Sequence, residues 1–259
     1  MAMLDLRPQA REAAFELPHD LGLSDEDRQL ALVDWRARMV TEHLSARVFA
    51  GLLPQMMRVG IDPQHQTAVV DMIGQELRHG RLCAAVVRAL GEEPIVELPE
   101  ILDVPRHADA PPLEALLRNL ITVSCLNETV AVAVIAAGRE SAGPEPIRAI
   151  MTEILADEVG HARFGWRLLE ELGPRLDDRL RERLGQYLVP AFRQLAERHY
   201  LGDQETASDL ACTIGVCDAR DTSELFLGTV SQVIVPGLEG YGLPATAAWR
   251  YAMEQRAAG

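Results

Sequence analysis

Two short stretches decide how this chain folds: Gly74-Gln75-Glu76-Leu77-Arg78-His79-Gly80-Arg81-Leu82 and Ala156-Asp157-Glu158-Val159-Gly160-His161-Ala162-Arg163-Phe164-Gly165-Trp166. Each contains Glu-x-x-His, as Glu76 with His79 and Glu158 with His161. On a helix, residues three apart share a face. Each stretch therefore offers one carboxylate and one imidazole to a single point. The same pattern occurs in Glu16-Leu17-Pro18-His19, but beside a proline in an irregular region, and there it reads as accidental. The motif alone is weak, and its position along the chain is what gives it meaning.

Working outward, Ser24-Asp25-Glu26-Asp27 starts a helix, with acidic groups at the positive end of its dipole. The helix runs to about Arg58 and stops at Gly60-Ile61-Asp62-Pro63. Asp62 caps a second helix and Pro63 suits its first position, and this helix ends near Leu90-Gly91. A third runs from about Leu113 to Gly138. Its Thr129–Ile135 run, rich in Val and Ala, reads as helix buried on nearly all sides. Gly143-Pro144 separates it from a fourth that ends at Leu172, before Gly173-Pro174. Helices 1 and 3 each carry one Glu in an apolar stretch, Glu42 and Glu128. Counted from the turn near residue 60, Glu42 and the pair Glu76/His79 lie at similar distances on opposite sides. Counted from the turn near 142, so do Glu128 and the pair Glu158/His161. In an antiparallel hairpin equal counts mean equal height. The sequence is thus an internal repeat of two helical hairpins, each with Glu followed by Glu-x-x-His.

Loop lengths set the topology. Helices 1 and 2 are tightly joined, as are 3 and 4, so each pair is a hairpin. Residues 92–112 contain five prolines and cannot continue a helix. A helix of roughly 26 residues is about 39 Å long, and about twenty extended residues reach roughly 66 Å. The segment can therefore run the length of a bundle and join the two hairpins. The expected fold class is all-α: a ferritin-like four-helix bundle with one long crossover, plus additional C-terminal helices. The expected organisation is an irregular N-terminal arm at 1–23, a di-metal bundle at 24–172, and C-terminal helices at 173–259 that pack on the bundle. The last region comprises a helix over about 175–200, a loop over 201–220, and shorter helices near 221–235 and 244–256.

Composition limits the function. With 39 acidic and 25 basic side chains the net charge is -14. So acidic a surface repels phosphate backbones and anionic lipid, which excludes nucleic acid and membrane as expected partners. Cys83, Cys125, Cys212 and Cys217 form no Cys-x-x-Cys pair, so neither a zinc knuckle nor a rubredoxin-type iron site can be built. The N-terminus does not read as a signal peptide, and the Thr129–Ala137 run is too short to span a bilayer. A cytoplasmic location is expected.

Charge supplies the chemistry. Four carboxylates in one core repel and are costly to desolvate. Two divalent metals cancel them, and two neutral imidazoles complete a set that suits iron or manganese. The expected metal ligands are Glu42, Glu76, His79, Glu128, Glu158 and His161.

The segments "TEHLS" (41–45), "GQELRHGRL" (74–82), "LNETVAV" (126–132) and "ADEVGHARFGW" (156–166) resemble the ferritin-like di-iron carboxylate superfamily. That superfamily includes rubrerythrin, acyl-carrier-protein desaturases and bacterial hydroxylase subunits, and the likeness covers about residues 26–172. It implies that Glu76 and Glu158 bridge or chelate, that Glu42 and Glu128 are terminal, and that each His binds one metal. It also implies that Asp157 hydrogen-bonds the histidine of the opposite motif. Gln75, a neutral residue, holds the equivalent place on helix 2. Three departures narrow the family. No extra acid lies a turn from Glu128, where Cys125 and Ala131 stand, which separates the chain from peroxide-reducing rubrerythrins. Ile154 occupies the place of the extra histidine of arylamine N-oxygenases. No Tyr falls on helices 1–4, which argues against a stored tyrosyl radical.

Ser45, Phe49, Cys83 and Cys125 are candidate pocket residues, the two cysteines reading foremost as small core residues. Phe164 and Trp166 read as packing. His43, His65, His107 and His199 read as surface or satisfied histidines. The expected function is a non-haem di-iron oxygenase or oxidase holding two iron ions, with a manganese–iron pair as an alternative. Its partners are dioxygen, a small-molecule or carrier-bound substrate, and a separate reductase or ferredoxin, with a homodimer as a candidate assembly. Hydroxylation, desaturation and N-oxygenation all fit. A ferroxidase or peroxide scavenger, and a non-catalytic helical interaction module, are the alternatives.

Overall fold

The computed structural model describes residues 2–18, 21–200 and 207–258. His19, of the accidental Glu-x-x-His, and residues 201–206 of the expected loop lie outside them. The chain forms two compact units, each discontinuous in sequence: Met1–Val104, Ile135–Asp157 and Thr206–Asp218 make one, and Pro105–Val134, Glu158–Glu205 and Ala219–Gly259 the other. As expected, the described elements are almost entirely helical.

The first unit is organised by a helical hairpin, α2 (Asp25–Val59) with α3 (Pro63–Ala89). A capping box starts α2: the Ser24 hydroxyl accepts from the Asp27 amide at 3.0 Å and the Asp27 carboxylate from the Ser24 amide at 3.2 Å. Gly60, in the left-handed conformation, ends α2, and Asp62 caps α3 by accepting from the Gln64 amide at 2.8 Å. Gly80 on α3 lies in van der Waals range of Met39 and Glu42 on α2, so the two helices meet closely at the level of Glu42. Trp35, Met39, Phe49, Leu52 and Met56 of α2 are fully buried. Each such side chain contributes about 1.5–3 kcal/mol of transfer free energy. The Trp35 indole donates to the Ile214 carbonyl at 2.8 Å, just after the short α8 (Asp209–Thr213). The next residue, Gly215, has φ +92°, and a Cβ there would fall 2.7 Å from the Trp35 ring. Arg38 donates to the Gly215 carbonyl at 2.8 Å and pairs with Asp34 at 3.1 Å. Burial alone would lower its pKa, but Asp34 and Cys217 outweigh that and raise it.

The N-terminal arm is not irregular throughout, contrary to the sequence expectation. Strand β1 (Met3–Asp5) pairs antiparallel with β2 (Ile95–Glu97), Leu4 opposite Val96, and α1 (Arg7–Glu12) follows. Buried Leu4 and Ala10 anchor this arm to the apolar cluster that contains Trp35. Their partners are distant in sequence, so local patterning did not reveal the pairing. The crossover after β2 passes α2 closely at Gly51, where a Cβ would lie 2.5 Å from Val104.

The second unit is built on α4 (Pro112–Leu120), which continues through a π-helical segment (Ile121–Glu128) into α5 (Thr129–Ser141). Glu114 is buried between Arg118 and Arg183, which both donate to its carboxylate. Helix α6 (Glu145–Leu172) is followed by a 3-10 turn and by α7 (Asp178–His199). Then come α9 (Ala219–Thr229), a second π segment (Val230–Ile234), α10 (Val235–Gly240) and α11 (Ala245–Ala258). Phe192 of α7, Phe226 of α9 and Trp249 of α11 meet edge-to-face in this unit, and Pro244 packs on Gly185. The expected 201–220 loop contains α8, which Ser208 caps.

Two expectations about the Val/Ala-rich run are corrected. Ala131 to Ala136 are only half-buried, not enclosed on nearly all sides. The run also belongs to one 30-residue helix, Pro112–Ser141, that is long and apolar enough by length and composition to cross a membrane. The sequence predicts one helix from about Leu113 to Gly138, and the structure places a π segment, Ile121–Glu128, inside it. That helix also carries Glu114, whose charge is met by Arg118 and Arg183 of the protein itself.

Candidate metal centre

In the first unit, Glu42 of α2 and Glu76 and His79 of α3 place one ligand atom each within 4.8 Å of one another. Glu76 is 1% exposed and His79 fully buried. The imidazole has a defined orientation. Its Nε2 lies 3.0 Å from Asp157 Oδ2 on α6, and its Nδ1 lies 3.5 Å from Glu42 Oε2 and 3.9 Å from Glu76 Oε2. A carboxylate only accepts, so the Asp157 contact places the proton on Nε2 and leaves the Nδ1 lone pair directed at the two carboxylates. Asp157 is itself held from two further sides. Gln75 Nε2 donates to its Oδ1 at 3.1 Å, and the Arg78 guanidinium pairs with its Oδ2. Arg78 also reaches Glu153 at 3.0 Å. Gln75 therefore braces Asp157. Arg78 lies inside the motif, yet its part was not read from the sequence. Its charge was the available signal, but a solvated arginine looks the same.

In the second unit, Glu128, Glu158 and His161 likewise bring ligand atoms within 4.8 Å of one another, and all three are buried. His161 Nδ1 lies 3.2 Å from Glu158 Oε2. So in both motifs the i,i+3 spacing turns Nδ1 to its own carboxylate. Close helix approach sets the level of Glu128. A Cβ at Gly165, one turn after His161, would fall 2.4 Å from Ser124 Cβ, four residues before Glu128. Antiparallel chains that touch there carry His161 and Glu128 to the same height. Glu128 closes the π-helical segment, where the wider turn redirects side chains relative to an α-helix. No sequence signal marked that segment.

A cluster of Glu and His side chains that could hold metal ions is thus present. Each set combines two carboxylates with one imidazole, all of them buried except Glu42, which is half-buried. Two carboxylates so close repel, and a divalent cation neutralises the pair. Hard oxygen and imidazole donors without thiolate fit iron or manganese. Cys83 and Cys125 are fully buried, and burial raises both thiol pKa values, so neither offers a thiolate. Phe49 is buried and Ser45 half-buried. Trp166 donates to Thr129 Oγ1 at 3.1 Å and stacks on Tyr241, a packing role. His107 meets Asn119 at 3.2 Å and His199 stacks on Phe226.

No protein-family model matches the sequence, and no curated protein matches it significantly. Among solved structures, the chain is similar to "Protein 19 with aldehyde deformylating oxidase activity" from Synechococcus. The identity is 20% and the TM-score 0.52, over 97% of this chain and 100% of that one. That likeness shows the fold: an all-α, ferritin-like bundle with extra helices.

Proposed function

We propose that the two Glu/Glu/His sets hold two iron ions as one dinuclear centre, and that the protein is an oxidoreductase acting on a small organic substrate. Glu42, Glu76 and His79 would hold metal from one set and Glu128, Glu158 and His161 from the other, with the four carboxylates supplying charge and each imidazole one nitrogen ligand. The supporting observation is the doubled set itself, each with three ligand atoms within 4.8 Å. Asp157, which orients His79, and Glu158, which belongs to the other set, are successive residues on α6. One peptide bond therefore ties the two sets. When bound, the iron pair supplies the capacity to activate dioxygen for hydroxylation, desaturation, N-oxygenation or a related oxidation. The chain contributes four carboxylates that neutralise the cations and two imidazoles, of which His79 has its tautomer set by Asp157. It also contributes a surround of buried apolar side chains, including Phe49, Cys83 and Cys125, that keeps water out. Because the similar solved protein carries aldehyde deformylating oxidase activity, an aldehyde is the first substrate class to try. Electrons come from a separate reductase or ferredoxin in the cytoplasm.

The test is metal analysis followed by stopped-flow absorption of anaerobic, iron-loaded protein mixed with oxygen, with and without linear aldehydes. Two irons per chain and a transient whose decay accelerates with substrate support the reading. Absence of iron uptake removes it. Iron oxidation that no substrate alters points to a ferroxidase instead.

A further inference from the structure

The three tryptophans of the chain stand in different surroundings. The Arg38 guanidinium sits 4.9 Å from the Trp35 ring centroid, and its positive charge opposes loss of an electron from that indole. Trp249 meets Phe192 and Phe226, whose rings resist oxidation. Trp166 instead stacks on Tyr241, with centroids 6.5 Å apart and planes 19° from parallel. Indole and phenol are the aromatic side chains that give up one electron most easily. A Cβ at Gly237 of α10 would fall 2.9 Å from the Trp166 ring, so close approach of α10 holds the indole in this stack. At its other end, the indole N–H donates to Thr129 Oγ1 at 3.1 Å, and one peptide bond joins Thr129 to Glu128. From a metal-site carboxylate, the path runs through one residue, one hydrogen bond and one aromatic stack to Tyr241. That tyrosine is half-buried and so is partly open to solvent. Every member of the path lies in the second unit.

We propose that Trp166 and Tyr241, besides packing, form a one-electron relay that carries oxidising equivalents from the metal centre to the surface when no substrate takes them. This rests on the metal-centre reading, because the oxidant is the iron pair after its reaction with dioxygen. The oxidised centre accepts one electron from Trp166. The resulting indole radical cation accepts one electron from Tyr241, whose phenolic proton passes to water. One electron and one proton from a thiol or ascorbate-type reductant restore the phenol. In sum, one electron passes from the reductant to the centre. Burial, and after it the charge of Glu170, push the Tyr241 phenol pKa up, so the side chain starts neutral and its proton leaves with the electron. Without this outlet, oxidant formed in the absence of substrate attacks the ligand side chains.

Two measurements test the relay, one without metal. In metal-free protein, pulse radiolysis with azide radicals oxidises tryptophan, and onward transfer is read as first-order conversion of tryptophanyl into tyrosyl absorption. Its amplitude should fall at least twofold in Tyr241→Phe and in Trp166→Phe. Tyr241→Phe removes only a hydroxyl, so the stack and the fold are kept. An unchanged amplitude in either variant overturns the inference. The second measurement uses protein shown by metal analysis to hold iron, mixed with oxygen in the absence of substrate. Freeze-quench EPR should show a tyrosyl radical, narrowed by ring-deuterated tyrosine and absent from Tyr241→Phe. Thr129→Val keeps the shape but removes the acceptor of the indole N–H. It should lower the radical yield at least threefold and leave the azide-initiated conversion unchanged, and an undiminished yield removes Thr129 from the path. Iron that is bound and oxidised without this radical, or with a radical that survives Tyr241→Phe, overturns the relay and leaves the metal-centre reading standing. Absence of iron uptake fails both.

Discussion

His79 Nε2 meets Asp157 Oδ2 at 3.0 Å, which joins an imidazole of α3 to an acid 78 residues further along the chain. This contact determines which nitrogen of His79 faces Glu42 and Glu76. Asp157→Asn keeps the shape but allows the amide to present a donor, so the ring is no longer held as the Nε2–H tautomer. Affinity for one of two metals should fall about 10- to 100-fold. Competition against a chelator of known affinity measures this, and two unchanged affinities would contradict the orienting role.

Glu158 is 2% exposed and 3.2 Å from His161. Its proposed place between two metals makes it the most sensitive ligand. Glu158→Ala should abolish binding of at least one ion, read as metal per chain after gel filtration. Full occupancy in that variant would remove Glu158 from the ligand set.

Gly165 and Gly160 form an internal control on α6. A Cβ at Gly165 would lie 2.4 Å from Ser124 Cβ and 3.1–3.2 Å from backbone atoms of Ser124 and Cys125, whereas one at Gly160 meets nothing within 4 Å. Gly165→Ala should destabilise by about 1–3 kcal/mol through overpacking. It should also weaken metal binding, because it spaces Glu128 away from His161. Gly160→Ala should gain up to about 1 kcal/mol from helix propensity with metal content unchanged. Denaturant titration of both variants decides, and equal stabilities would argue against close packing at Gly165.

Burial against Phe226 holds the His199 pKa down to about 4, from an ordinary value of 6.5. The folded protein thus keeps His199 neutral while the unfolded chain binds a proton. The resulting loss of stability is absent above pH 6.5, grows as pH falls, and is complete below about 4. Between pH 7 and pH 5 it amounts to about 2 kcal/mol. His199→Phe, which keeps the stacking but cannot titrate, should show a pH dependence flatter by about that amount in urea midpoints at the two pH values. Parallel curves for wild type and variant would contradict it.

Helix limits were legible because their causes are local. Ser24 with Asp27, Asp62 with Pro63, and Gly60 act on backbone within a few residues, and the structure ends and starts α2 and α3 there. The i,i+3 placement of Glu158 with His161 is local in the same way. The pairing of β1 with β2 was not legible, because three-residue strands have no periodicity to detect and their partners are some ninety residues apart. The exposure of Ala131–Ala136 was misread for a related reason. Apolar composition shows that a helix can be buried, but only its neighbours determine how much of it is.

By itself the sequence determined the all-helical class, the hairpin repeat, and the presence of a Glu and a Glu-x-x-His in each copy. These follow from spacing along a helix and from turn residues, which act over a few positions. Only the tertiary structure decided that His79 turns Nε2 to Asp157, that Arg78 and Gln75 brace that acid, and that Glu128 ends a π-helical segment. Those outcomes depend on which side chains from distant parts of the chain arrive within a few ångströms, and packing sets that, not local pattern.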